Sequence, residues 1–145
     1  MRVYLDNCSF NRPFDDQSQI RIKVETDAKL YIQELIKNKK IELAWSYILE
    51  YENSFNPFEE RKEQILKWKK YSSKVVLENK NIISNAEKFL KLKIKAKDSL
   101  HIACAIESKC DYFITTDDLL LKRSNEINLI KIVSPPTFIE KEEII

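Results

Sequence analysis

The stretch Lys97–Leu121, KDSLHIACAIESKCDYFITTDDLLL, constrains the fold more than any other part of the chain. From Leu100 to Ile106 the residues are apolar or small all round, interrupted only by His101, the pattern of a helix covered on several sides. Tyr112, Phe113, Ile114 and Thr115 then form an aromatic and β-branched run of the length of a buried strand. Asp98 opens the helix, and Asp117 and Asp118 lie just past the carboxyl end of the strand. In an open α/β sheet the ligand crevice lies outside the carboxyl ends of the strands. The sequence therefore poses one question, whether further acids arrive at that end.

Four more strands are predicted, at Arg2–Leu5, Ile41–Trp45, Lys74–Leu77 and Leu129–Val133. Between them, Gln17–Asn38 repeats apolar residues at helical spacing through Ile20, Val24, Ala28, Tyr31 and Leu35. Ser46 is placed to cap a helix through Glu52, Phe58–Tyr71 reads as a charged helix, and Asn81–Leu92 as an amphipathic one. Pro135-Pro136 ends the last strand, and Phe138 and Ile139 dock a short terminal segment. Strands separated by long helical crossovers pair in parallel. The expected fold is α/β with a central parallel sheet of about five strands.

A chain of 145 residues suits one compact domain, 1–145, and its hydrophobic 43% and charged 33% fit a globular protein rather than a disordered one. No apolar run is long enough to span a bilayer and the N-terminus carries no apolar signal core, so the expected location is the cytoplasm. Cys8, Cys104 and Cys110 form neither a CxxC pair nor a zinc pattern. A net charge of +2 means that any nucleic-acid binding rests on local Lys and Arg placement. The chain has no glycine, which excludes Gly-rich phosphate loops and dinucleotide fingerprints.

The acids each have a local alternative. Asp6 follows the first strand, where Asp commonly makes a turn. Asp98 before an apolar helix has the character of an N-cap. Glu50 and Glu52 are two apart, project roughly 200° from one another on a helix, and cannot both face one site. In a parallel sheet, however, Asp6, one of these glutamates, Asp98, Asp117 and Asp118 converge at one end. Clustered carboxylates are tolerable only when protons or cations neutralise them, and oxygen donors select hard cations such as Mg²⁺ or Mn²⁺. His101 reads as a buried histidine orienting the nearby acid, and Thr115 and Thr116 as hydroxyls that position a carboxylate.

Asp6 after a strand, a Glu on the next helix, KDSLHIACA and TTDD in that order resemble the PIN domain, over nearly the whole chain and at the length of VapC-type toxins. The resemblance implies a three-layer α/β/α fold and a Mg²⁺- or Mn²⁺-dependent endoribonuclease. It maps the site onto Asp6, Glu52, Asp98 and Asp117 as catalytic and metal-holding residues, with Thr115 and Asp118 in support and Glu50 as the competitor of Glu52. In-line hydrolysis would leave a 5′-phosphate and a 3′-hydroxyl. Lys93, Lys95, Lys97 and the basic second helix are candidates for holding the RNA backbone. The implied partners are RNA, a cognate antitoxin and a second copy of the chain, with no membrane. The alternatives are a PIN nuclease of RNA maturation or DNA repair, and a catalytically weak binding module.

Overall fold

The computed structural model describes residues 1–142. Its strands are β1 (Arg2–Leu5), β2 (Glu42–Ser46), β3 (Lys74–Val76), β4 (Tyr112–Ile114) and β5 (Lys131–Val133). Its helices are α1 (Asn7–Asn11), α2 (Ile20–Lys37), α3 (Tyr47–Ser54), α4 (Glu59–Leu66), α5 (Lys80–Lys91), α6 (Ala96–Glu107), α7 (Asp118–Lys122) and α8 (Pro135–Lys141). The strands form one sheet in the order β3-β2-β1-β4-β5, and every pairing is parallel. Val3, Tyr4 and Leu5 of the central strand are fully buried, as expected where helices cover both faces of a parallel sheet. The helix α6 lies against β2 and β4 with α5 packed on it, while α8 lies against β4 with α2 packed on it. This is a three-layer α/β/α arrangement.

The stretch that organises the sequence also organises the core. Ile102, Ala103, Cys104 and Ala105 of α6 are buried completely, as are Phe113 and Ile114 of β4. Tyr4 stacks on Phe113 with ring centroids 5.3 Å apart, and on another part of the core Phe10 meets the edge of Trp45 at 5.8 Å. The short edge strand β3 exposes Lys74 and Val75. Among the described residues no helix is long and apolar enough to cross a membrane.

Several element ends shift from the sequence expectation, as where α2 begins at Ile20 instead of Gln17, and three differences change an element's character. The charged segment Phe58–Tyr71 divides into α4 and a 3-10 turn over Lys67–Tyr71, with Ile65 its one fully buried side chain. The segment from Asn125 to Ile130 makes no strand pairing, so the last strand begins only at Lys131. Pro135-Pro136 does stop that strand, but as the first residues of α8, whose start is capped by Ser134 accepting from the Thr137 backbone.

The absence of glycine leaves a mark at the helix ends. Lys39, Lys93 and Lys109 follow α2, α5 and α6 with φ of 58°, 65° and 59°. Each sits where glycine would normally take the left-handed turn, and the residues after them return hydrogen bonds to Leu35, Phe89 and Ala105 carbonyls. One of these turns carries Lys93 to the mouth of the site described next.

Candidate functional site

The strand order reverses between β1 and β4, which makes their carboxyl ends the topological switch point of the sheet. Register sets Leu5 beside Ile114, so the next residues, Asp6 and Thr115, fall side by side. The Thr115 hydroxyl donates to Asp6 Oδ2 at 2.5 Å, and Asp6 Oδ1 accepts the Ser9 amide at 2.9 Å as the N-cap of α1. Asp6 is 2% exposed. Burial pushes its carboxyl up to about 6 against the pull of these hydrogen bonds and of His101. Asp6 is thus both a cap and a buried acid at the head of the central strand.

Thr115 also fixes the second acid. Its hydroxyl oxygen accepts the Asp117 amide at 3.0 Å, and Asp117 caps α7 by accepting from the Leu119 and Leu120 amides at 2.9 and 3.3 Å. Asp98 does not make the cap expected of it. The cap position of α6 is Lys95, which offers no side-chain bond, and Asp98 lies in the first turn. Half-buried, Asp98 has no hydrogen-bond or ion-pair partner among the described residues. Burial raises its pKa, and the charges of Asp117 and Glu52 raise it further.

The two glutamates of α3 diverge as their spacing requires. Glu50 leaves the site and pairs with Lys69 at 2.7 Å on the surface. Glu52 turns inward, where Oε1 pairs with His101 Nε2 and Oε2 accepts from Asn7 Nδ2 at 3.4 Å. Burial alone would raise the Glu52 carboxyl, but the His101 bond and its charge hold it below its ordinary value. His101 is 1% exposed, and its other nitrogen, Nδ1, lies 2.5 Å from the Tyr4 hydroxyl, itself 2.6 Å from Ser46 Oγ. His101 therefore orients Glu52, not its helix neighbour Asp98.

Asp6 follows β1, Asp117 follows β4, Glu52 lies on α3 after β2 and Asp98 in the first turn of α6, so all four belong to elements at the carboxyl end of the sheet. Loss of water, and then the charges of Asp6, Asp117, Asp98 and Glu52, push the Cys8 thiol up to about 12. Asp118 is not brought into this group. It is held outside by Arg21, with its two oxygens 2.5 and 2.7 Å from the guanidinium. Among the described residues no three His, Cys, Asp or Glu side chains stand close enough together to hold one ion. Carboxylate oxygens are the donor type that hard divalent cations take, and Asp98 is the acid of the four without a partner among the described residues.

Two hollows flank the acids. In the first, Lys93, Lys95 and Arg123 border a cleft of about 140 Å³ whose wall includes Asp98 and Asp117. Arg123 was not evident from the sequence, since α7 and the following turn deliver it from beyond the TTDD run. A second pocket, of about 290 Å³, has Glu52 in its wall, together with Asn7, Asn11 and Arg61. Lys67 and Lys70 of the basic second helix belong elsewhere, around a hollow with Lys37, Trp68 and Tyr71 where the chain enters β2 and β3.

No family model matches the chain, and no curated protein matches it. Solved structures do. VapBC2 from Rickettsia felis, bound to a DNA fragment from their promoter, is similar with a TM-score of 0.55 at 16% identity, over 91% of this chain and 97% of that one. VapBC-1 from nontypeable Haemophilus influenzae is similar with a TM-score of 0.58 at 17% identity, over 94% of this chain and 99% of that one. At these identities the likeness is one of fold, and the fold is PIN-like.

Proposed function

We propose that this chain, with its PIN-like fold, is a metal-dependent endoribonuclease and the toxin of a toxin–antitoxin pair. The observation that supports this reading is the parallel sheet itself, which places Asp6 and Asp117 after adjacent strands at its switch point, with Glu52 and Asp98 on the helices α3 and α6 and Asp98 left without a partner among the described residues. Likeness in fold to two VapBC structures supports the toxin–antitoxin part and a cognate antitoxin as partner. A homodimer is proposed with it.

The residues divide the work. Asp6, Asp98 and Asp117, with Glu52, would hold the divalent cation, Mg²⁺ or Mn²⁺. Bound there, it would acidify water and offset the charge that develops on a phosphodiester in hydrolysis. Thr115 fixes Asp6 and the start of α7 together, so that two of the acids keep a constant relation. His101 and Asn7 fix Glu52. Lys93, Lys95 and Arg123 attract the RNA backbone toward acids that would otherwise repel it.

A second reading, a binding module with little activity, is favoured by one observation: among the described residues the acids stand apart rather than at ligand separation. Growth separates the two. Expression of the wild type should arrest a bacterial host, Asp98→Asn should not, and a small protein encoded beside this gene should relieve the arrest. A chain that is harmless as wild type, yet binds that small protein, is the binding module.

A further inference from the structure

We infer that the pocket between α1 and the α3–α4 loop receives an unstacked base of single-stranded RNA and sets which nucleotide lies beside the acids. This inference rests on the ribonuclease reading above.

The pocket has the two chemistries that a base requires. One wall is polar and directional. Asn56 Nδ2 donates to Asn11 Oδ1 at 3.3 Å, Asn11 Nδ2 to Asn7 Oδ1 at 3.2 Å, and Asn7 Nδ2 to Glu52 Oε2 at 3.4 Å. This row of amides ends on a residue of the acidic site. Asn7 and Asn56 each keep a second amide hydrogen, and each oxygen has spare acceptor capacity, so the row can meet the edge of a base. The other wall is aromatic: Phe55 and Phe58 are 67% and 53% exposed, the two exposed phenylalanines among the described residues. Both faces of a base are apolar and stack on such rings whatever the sequence.

The geometry also favours a nucleic acid over a protein side chain as occupant. The Arg61 guanidinium lies 4.1 Å from the centre of the Phe58 ring and is fixed by donating to the Phe14 carbonyl at 3.1 Å. A stacked, anchored arginine beside an exposed ring offers a phosphate contact next to a stacking surface. At about 290 Å³ the pocket has room for one base. The cleft of Lys93, Lys95 and Arg123 is lined by two other acids, Asp98 and Asp117, and shares no residue with the pocket. A strand crossing the acids would therefore keep its backbone on the basic side and turn one base into the amides.

Cleavage kinetics with single-stranded RNA oligonucleotides, varied one base at a time around the cut, test this. Phe58→Ala should raise KM about 10-fold, and Phe58→Trp should restore it. Asn56→Ala should reduce the ratio between the best and worst base at least fivefold. Lys93→Ala should weaken all the oligonucleotides alike. Circular dichroism and sedimentation accompany each variant. If the wild type cleaves while Phe58→Ala and Asn56→Ala keep its KM and base preference, the pocket is not a base site and the nuclease reading survives. If those variants change only the oligomeric state, the pocket is a protein interface instead. A wild type that neither binds nor cleaves RNA in Mn²⁺ overturns the nuclease reading and the pocket with it.

Discussion

His101 and Glu52 are 49 residues apart in the chain and share a hydrogen bond at the wall of the acidic site. Behind His101 the bonding continues inward through the Tyr4 hydroxyl to Ser46 Oγ, which itself accepts the Leu49 amide at 3.2 Å. One consistent order of donors runs from Ser46 to Tyr4 to His101 Nδ1, leaving Nε2–H to donate to the carboxylate. The central strand, β2 and α6 thus agree on where a glutamate of α3 must point.

Tyr4→Phe should test that chain directly. It keeps the ring stacked on Phe113 but leaves the Ser46 hydroxyl hydrogen and His101 Nδ1 each without a partner in a dry interior. The expected cost is about 1–3 kcal/mol in urea unfolding, with a loss of activity larger than any loss of secondary structure. Unchanged stability would mean that the hydroxyl is solvated or idle.

The pH dependence of stability should carry the signature of Asp6. Its carboxyl is raised from 3.8 unfolded to about 6 folded, so the folded state prefers it protonated. That preference is fully present below about pH 4 and is lost as pH rises to about 6, amounting to roughly 3 kcal/mol by linkage. In EDTA, Asp6→Asn should flatten this part of the stability profile, measured by chemical denaturation between pH 4 and 7. A profile identical to the wild type would contradict the burial argument.

Lys29 is 3% exposed, and burial pushes its amine down to about 7. The Phe10 ring face, 5.2 Å from Nζ, offers partial compensation. Lys29→Met should therefore stabilise the protein at pH 6, on the order of 2 kcal/mol, and the gain should shrink as pH rises above 7. Melting temperatures of the two proteins across that range are the check.

Lys39 adopts φ 58° after α2 without the steric freedom of glycine. Lys39→Gly should raise stability by roughly 0.5–1 kcal/mol, because relief of the left-handed strain exceeds the added chain entropy. A loss of stability would show that the lysine side chain contributes more than its backbone costs.

The sheet was readable because its strands are short apolar runs separated by helical crossovers, and period and length suffice to identify those. The placement of Asp6 after β1 and of Asp117 after β4 followed from the same reading, since a parallel sheet gathers its carboxyl ends. What sequence spacing could not carry were partnerships between distant residues. Asp118 looks like a twin of Asp117 in the sequence, yet Arg21, 97 positions away, holds it outside the group. Asp98 has the residue type of a cap, but α6 begins at Ala96, one residue after Lys95, so its carboxylate is left free. The amides of Asn7, Asn11 and Asn56 meet only because α1 packs beside α3 and α4, and no motif announces them.

The central claim is that four carboxylates at the end of the sheet hydrolyse RNA with a divalent cation. The most direct measurement incubates the purified chain with a mixed pool of cellular RNA in Mg²⁺, Mn²⁺ or EDTA, beside Asp6→Asn and Asp98→Asn variants that are folded by circular dichroism. Cleavage is expected in the metals, none in EDTA, and a loss of at least 100-fold in each variant. Cleavage that persists in EDTA or in Asp98→Asn, or no cleavage of any RNA by the folded wild type in metal, would contradict it.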